Sequence, residues 1–235
     1  MIPSDPLAVW LPALFWLVLW GLGGWWLALS CFNLRRNEQV WVGLALGLVL
    51  QAWLANILAP WLPVMAAFWL GAGLTFLLGL VFMLRRGGLA ALRGPYHLHI
   101  GAALAFALLL YLFIAVGRGM AISDDFQNLP LAAMLAVGDF PLHFPLDPAV
   151  VYPYHYFNLL IGAQFMRMFN LFTWTGVDVA RGLTFTLGIF LAALWGQRLT
   201  RSTLAGCLNG LMFALAGGAR WLLLLLPVGL RTGLS

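Results

Sequence analysis

Three long stretches of the sequence contain no Asp, Glu, Lys or Arg: residues 6–34, 39–84 and 94–117. A helix that crosses a hydrocarbon core of about 30 Å needs about 20 apolar residues. The second stretch is therefore long enough for two helices that turn near Pro60 and Pro63. Across the chain, 63% of the residues are hydrophobic and 8% are charged, whereas soluble domains average about 45–50% and about 25%. These values exclude a soluble globular domain.

The apolar segments predict an all-α, polytopic transmembrane protein with about six spans. The spans are expected near residues 8–30, 40–58, 64–84, 98–117, 178–196 and 203–219. Residues 221–230 look like the start of a further span. Met1–Leu7 contains Asp5 and no basic residue, so the first span is expected to remain a membrane helix and not to be cleaved as a signal peptide.

The positions of the arginines predict the direction of the spans. All 12 basic residues are arginine, and the net charge is +5. Arginines follow the first, third and fifth spans, and short cytoplasmic loops are enriched in Arg and Lys. The N-terminus and residues 118–177 are therefore expected on the non-cytoplasmic side of a bacterial plasma membrane. The arginines form no basic stripe, so membrane lipids are the expected partners and nucleic acid is not.

The predicted external segment contains four of the seven acidic residues, and the first two are adjacent, at Asp124 and Asp125. Adjacent carboxylates suit one general base with a helper, or a ligand pair for a divalent metal. The alternative is that one of them only caps the helix that follows. The sequence contains no HxxxH or HExxH zinc spacing.

A short amphipathic helix is expected next, from about residue 128 to Val137, and Gly138 is expected to end it. Four prolines, Pro141, Pro145, Pro148 and Pro153, then exclude a helix or a central strand before an aromatic cluster. Hydroxyls and an imidazole beside a carboxylate supply donors and acceptors for a polar substrate. The candidate binding residues of this kind are Asp139, Tyr152, Tyr154, His155 and Tyr156. A belt of tyrosines at the membrane interface is the alternative.

Residues 157–172 have a helical pattern interrupted by Asn158, Gln164 and Arg167, which predicts a second surface helix. Arg167, and Arg181 at the outer end of the fifth span, are candidates to hold a lipid-linked phosphate. Snorkelling of both side chains to lipid headgroups is the alternative. Cys31 and Cys207 are far apart in apolar surroundings, so we expect packing residues and neither a disulfide nor a CxxC site.

The order of these features resembles the C superfamily of membrane glycosyltransferases, in particular its protein O-mannosyltransferase and aminoarabinose-transferase branch. Members have a span that leads out of the cytoplasm, an acidic pair, a surface helix, a Gly-Asp, a proline-rich stretch, another surface helix and a span preceded by Ala-Arg. The resemblance covers residues 98–216 and rests on Ser123-Asp124-Asp125, Leu131–Val137, Gly138-Asp139-Phe140-Pro141, Tyr152-Pro153-Tyr154-His155-Tyr156, Val179-Ala180-Arg181 and Gln197-Arg198-Leu199.

The resemblance implies that Asp124 or Asp125 is the general base that deprotonates an acceptor hydroxyl. It implies that the donor is a sugar on a polyprenyl phosphate, whose departing phosphate is stabilised by arginine. Family members are usually several hundred residues longer. We therefore expect an N-terminal part of such an enzyme, completed by a C-terminal part or by other membrane subunits. The expected divisions are three N-terminal spans (1–97), a transferase-like module (98–216) and an incomplete further span (217–235).

Two other functions remain open from the sequence. A non-catalytic membrane subunit would scaffold a larger complex through its aromatic faces and through small residues that allow close helix approach. Such residues are Gly21, Gly23, Gly24 and Gly71-Ala72-Gly73. A transporter needs a polar pathway within its spans. Gln51 and Asn56 are the strongly polar residues near the middle of the first four spans, so a transporter is the least favoured reading.

Overall fold

The computed structural model describes residues 6–86, 100–119, 125–152 and 156–216. These residues are almost entirely helical, and the strands among them form one short antiparallel hairpin. The elements in chain order are α1 (Pro6–Cys31), α2 (Arg36–Leu58), α3 (Val64–Arg85), α4 (Ile100–Gly119), α5 (Asp125–Val137), β1 (His143–Phe144), β2 (Asp147–Val151), α6 (Phe157–Phe169), α7 (Thr173–Thr200) and α8 (Thr203–Leu215).

Five helices are long and apolar enough to cross a membrane, namely α1 to α4 and α7. The predicted all-α, polytopic transmembrane fold is therefore confirmed. The fifth span is longer than expected, because α7 has 28 residues and begins at Thr173. The sixth predicted span corresponds to α8, which has 13 residues. The further span expected from Trp221 lies outside the described residues.

The backbones of α1, α2 and α3 touch at glycines. A Cβ on Gly23 would lie 2.5 Å from the carbonyl oxygen of Thr75 in α3, and a Cβ on Gly24 would overlap the backbone of α2. A Cβ on Gly71 would lie 2.6 Å from a carbonyl oxygen of α2, whereas one on Gly73 would meet nothing within 4 Å. Close approach through small residues is typical of membrane helices. Gly23, Gly24 and Gly71 are used for contacts inside this chain, and their use against a partner helix stays a prediction.

The arginines that follow three of the spans lie at one end of the bundle, which we call the arginine end. Here α1, α3 and α7 end and α2 begins. Arg86 donates to the carbonyl oxygen of Leu29 at 3.0 Å. Arg198 donates to the carboxylate of Glu38 at 2.7 Å and to the carbonyl oxygen of Asn33 at 2.8 Å. The clustering agrees with the predicted alternation of loops, and the side of the membrane that this end faces stays a prediction.

At the opposite end, which we call the loop end, α5 extends from Asp125 to Val137. Gly138 has a φ of +102° and ends the helix, and the amide of Asp139 donates to the carbonyl oxygen of Met134 at 3.0 Å. This is the Schellman arrangement that glycine favours at a helix end. One face of α5 is buried against α6.

The expectation of a surface helix at residues 157–172 is wrong, because α6 is buried among α1, α2, α5 and α7. Its Gln164 is fully buried and exchanges two amide hydrogen bonds with Gln51 of α2, at 2.9 and 3.0 Å. Two amides that satisfy each other lose little on leaving water. This pairing allows a polar helix to lie inside the bundle.

The outer surface of the spanning helices is apolar. Trp10, Trp61 and Trp174, near the ends of spans, are 49%, 83% and 52% exposed, as expected for aromatic residues at a membrane interface. Cys31 and Cys207 are also exposed. The expectation that they are packing residues is therefore wrong as far as packing inside the bundle is concerned.

Candidate functional site

The predicted acidic pair lies where α4 is connected to α5. The spanning helix α4 ends at Gly119, and Asp125 is the first residue of α5. Asp124 lies outside the described residues. Because α5 packs against α6 and α7, the chain holds the backbone of Asp125 beside the bundle at the loop end.

A charged contact joins α4 to α7 close to this connection. The guanidinium of Arg118 lies 3.8 Å from the carboxylate of Asp178 and donates to the hydroxyl of Thr175 at 2.8 Å. Asp178 is buried, whereas the side chain of Arg118 is 58% exposed. Gly117 leaves room for the carboxylate, since a Cβ there would lie 3.0 Å from Asp178 Oδ1. Sequence analysis missed this pair, although an acidic residue inside an apolar helix is a signal for a functional or paired group.

Arg181 follows Asp178 by almost one turn of α7 and is half-buried. The face of α7 that carries Asp178 and Gly182 packs on α4. The face that carries Val177 and Thr184 packs on α6. Helical spacing puts Arg181 between these two faces, on the side of α7 that lies between α4 and α6. Gly182, the next residue, faces Leu110 and Ile114, so Arg181 lies about one turn below the level of the Arg118–Asp178 contact.

Asp139 forms a compact pair with a residue that sequence analysis missed, His143. One carboxylate oxygen lies 2.6 Å from Nδ1 of His143, and the other accepts the backbone amide of His143 at 2.9 Å. Both side chains are partly exposed. The i, i+4 spacing of Asp and His was the available signal, but the prolines between and around them gave no reason to expect a turn that joins the two.

Tyr152 connects the hairpin to α5. Its hydroxyl accepts a hydrogen bond from the side-chain amide of Gln127, and its backbone amide donates to the carbonyl oxygen of Leu142 at 2.8 Å. Its ring centroid lies 5.4 Å from that of Phe144. Tyr152 therefore holds the hairpin against the first turn of α5, because its partner Gln127 comes two residues after Asp125.

Of the three remaining aromatic candidates, the structure describes Tyr156. The hydroxyl of Tyr156 donates to the side-chain oxygen of Asn56 in α2 at 2.9 Å, so this hydroxyl links the start of α6 to a spanning helix. Tyr154 and His155 lie outside the described residues. Asn56, considered in the sequence as a polar residue of a span, thus has a partner near the loop end.

Arg167 lies in the last turn of α6 and is exposed. It is near the point where α6 gives way to α7, because α7 begins four residues after α6 ends. Arg118, Arg167 and Arg181 therefore all belong to the loop end, on three different helices. Guanidinium groups of this kind bind phosphate oxygens through paired hydrogen bonds.

Among residues 6–86, 100–119, 125–152 and 156–216, no three His, Cys, Asp or Glu side chains are grouped as they would be around a metal ion. The divalent metal considered for the acidic pair involves Asp124, which is outside those ranges.

The loop end thus combines an acidic connection, a partly exposed Asp139–His143 pair and three arginines beside two spanning helices. Protein-family models, curated proteins and solved structures include none that matches this chain.

Proposed function

We propose that this protein is an integral membrane glycosyltransferase, or the N-terminal part of one, that uses a polyprenyl-phosphate sugar as donor. The observation that supports the proposal most strongly is the connection from α4 to α5. In the sequence this connection carries two adjacent carboxylates, Asp124 and Asp125, a few residues after the spanning helix α4 ends, and α4 and α7 carry arginines at the same end of the bundle. A lipid-linked substrate would meet both kinds of group at the membrane surface.

In the proposed reaction, Asp124 or Asp125 accepts the proton of an acceptor hydroxyl as its oxygen attacks the anomeric carbon of the donor sugar. The new carbon–oxygen bond forms while the bond from the anomeric carbon to the phosphate oxygen breaks, with inversion. The phosphate leaves on the polyprenyl chain with its negative charge. One carboxylate base suffices, because a phosphate is a stable leaving group and needs no second acid.

The arginines would stabilise the phosphate as it leaves. Arg167 and Arg181 are the proposed contacts, because a guanidinium aimed at developing negative charge lowers the barrier most where water is scarce. Arg118 has a different proposed role. Its contacts with Asp178 and Thr175 tie α4 to α7 and so hold the end of the helix that precedes the acidic pair.

Asp139, Tyr152, Tyr154, His155 and Tyr156 would bind the sugar or the acceptor from the hairpin side. In this proposal the loop end faces the non-cytoplasmic side of a bacterial plasma membrane, because the arginine end would take the cytoplasmic side. A divalent metal at the acidic pair would be an additional aid to phosphate binding.

Sugar transfer by variants of the acidic pair tests this proposal. The full assembly is purified from its native membrane and given a radiolabelled polyprenyl-phosphate sugar, and the wild type is expected to transfer the label. Replacing both aspartates, Asp124→Asn with Asp125→Asn, is expected to lower the rate by a factor of about 100 to 10,000. The matched control is Asp147→Asn, an exposed acidic residue of the hairpin, which should retain the wild-type rate. Unchanged transfer by the double variant would contradict the proposal.

A non-catalytic subunit of a larger membrane complex is the second candidate, and one observation favours it. Only 6% of the most apolar window of α4 is buried, and the face turned away from α7 is exposed and apolar, which leaves it available to a partner helix. Gentle detergent extraction followed by intact mass spectrometry separates the two candidates. A stoichiometric partner on a chain of 25.8 kDa supports the scaffold, and a longer continuous chain with transfer activity supports the enzyme.

A further inference from the structure

A cavity of about 510 Å³ lies between α2, α4, α7 and α8, near the arginine end. Ligand sites in proteins have volumes of about 300–1,000 Å³, so this space is large enough for part of a lipid. The start of α5 at Asp125 and the three arginines of the loop end lie at the other end of the bundle. The cavity is therefore separate from the proposed transferase site.

The wall of the cavity toward the membrane centre is apolar and partly aromatic. Trp41 and Phe190 line it and have ring centroids 4.6 Å apart. Phe106 of α4 stacks on Trp41 at 4.9 Å, so rings from three helices support one another. Leu109 and Ile189 continue the lining away from the arginine end. This part of the cavity matches a hydrocarbon chain.

The polar lining is confined to the arginine end of the cavity. Arg36 and Asn37 are the first residues of α2, and Gln197 and Thr203 lie where α7 ends and α8 begins. The amide of Gln197 donates to the Thr203 hydroxyl at 3.2 Å. The Asn37 amide lies 3.5 Å from the side-chain oxygen of Gln197. A guanidinium with amides and a hydroxyl beside it matches the phosphate of a lipid headgroup.

The cavity is polar at the arginine end and apolar toward the membrane centre. A membrane leaflet has the same order, with polar headgroups outside and acyl chains inside. We propose that the cavity binds an anionic phospholipid from the leaflet at the arginine end. Arg36 contacts its phosphate, and one acyl chain lies along Trp41, Phe190 and Leu109. The helix that borders the cavity on one side, α4, has an exposed apolar face that would lie against the acyl chains of the bilayer.

The first test fills the cavity from α4. Ala102 lines the cavity, whereas Ala107 is exposed on the same helix and does not line it. The protein is reconstituted in phosphatidylglycerol, extracted in mild detergent, and its bound lipid is counted by native mass spectrometry. The wild type and Ala107→Phe should each retain one phosphatidylglycerol, and Ala102→Phe should retain at least about tenfold less. Equal retention by the two phenylalanine variants would overturn the proposal.

The second test addresses the positive charge of Arg36 at the arginine end of the cavity. Arg36→Gln should lower the preference for phosphatidylglycerol over phosphatidylcholine about fivefold, as expected for one arginine near an anionic headgroup. The control is Arg85→Gln, an exposed arginine at the same end that does not line the cavity, and its preference should be unchanged. An unaltered preference in Arg36→Gln would overturn the assignment of the headgroup.

The two native cysteines allow a test that needs no substitution in the cavity. Both thiols are exposed, but Cys207 lines the cavity and Cys31 does not. Added phosphatidylglycerol should slow maleimide labelling of Cys207 and leave that of Cys31 unchanged. Equal effects on both thiols, or protection of Cys207 by a copurified polypeptide in protein that holds no lipid, would contradict the proposal.

Discussion

The paired amides of Gln51 and Gln164 determine where α6 can lie. Each is fully buried and satisfies the other. Replacing either one by leucine leaves a buried amide without its partner, and this costs about 1–2 kcal/mol. We therefore expect Gln51→Leu and Gln164→Leu each to lower the free energy of unfolding by about that amount, measured by denaturant titration in detergent.

The double variant is the control for this prediction. With both amides gone, neither is left unsatisfied, so the double variant should be more stable than the sum of the two single losses predicts. Strictly additive losses would show that the two glutamines do not depend on each other.

The sequence predicts candidate residues better than it predicts their partners. Asp139, Tyr152, Tyr156, Arg167 and Arg181 stand out as candidates because their residue types are uncommon in an apolar chain, and their role in a site stays a prediction. Their partners were not, since Asn56 is 100 positions from Tyr156 and Gln51 is 113 from Gln164. His143 was missed for the opposite reason: its partner is four positions away, but only the folded turn between the prolines brings the two together.

At the scale of helices, the contact of α1 with α2 and α3 depends on glycines. A side chain on Gly24 would overlap the backbone of α2, whereas one on Gly73 would meet nothing within 4 Å. Gly24→Val is therefore expected to destabilise the bundle by at least about 2 kcal/mol. Gly73→Val should change the stability little, since valine is tolerated on a free helix face. The thermal stability of both variants in the same detergent is the measurement, and equal midpoints would contradict this packing.

The helices differ in how well the sequence predicts them. The spans α1 to α4 are set by charge-free apolar windows, which report burial in lipid directly. The start of α7 was placed too late because Asp178 and the residues before it are polar for a span. The contact of Asp178 with Arg118 makes its burial tolerable. The predicted surface position of α6 was wrong because its polar residues suggested contact with water. The partners that satisfy them inside the bundle are distant in sequence.

At the scale of the whole molecule, polar groups are sorted to two ends. Arg86 and Arg198 hold the arginine end together through bonds to α1, to the loop that follows it and to Glu38. The loop end holds the start of α5 at Asp125, the hairpin and the arginines proposed to bind phosphate. The proposed transfer requires the loop end to face away from the cytoplasm, where a polyprenyl-linked sugar would meet an external acceptor.

Labelling of single cysteines in intact cells tests that requirement most directly. In a background with Cys31→Ser and Cys207→Ser, Ala149→Cys reports on the exposed hairpin of the loop end, and Asn33→Cys reports on the exposed loop after α1 at the arginine end. A membrane-impermeant maleimide should label Ala149→Cys in intact cells and Asn33→Cys only after the membrane is opened. Labelling of Asn33→Cys in intact cells, with Ala149→Cys protected, would put the acidic pair on the cytoplasmic side and contradict the account.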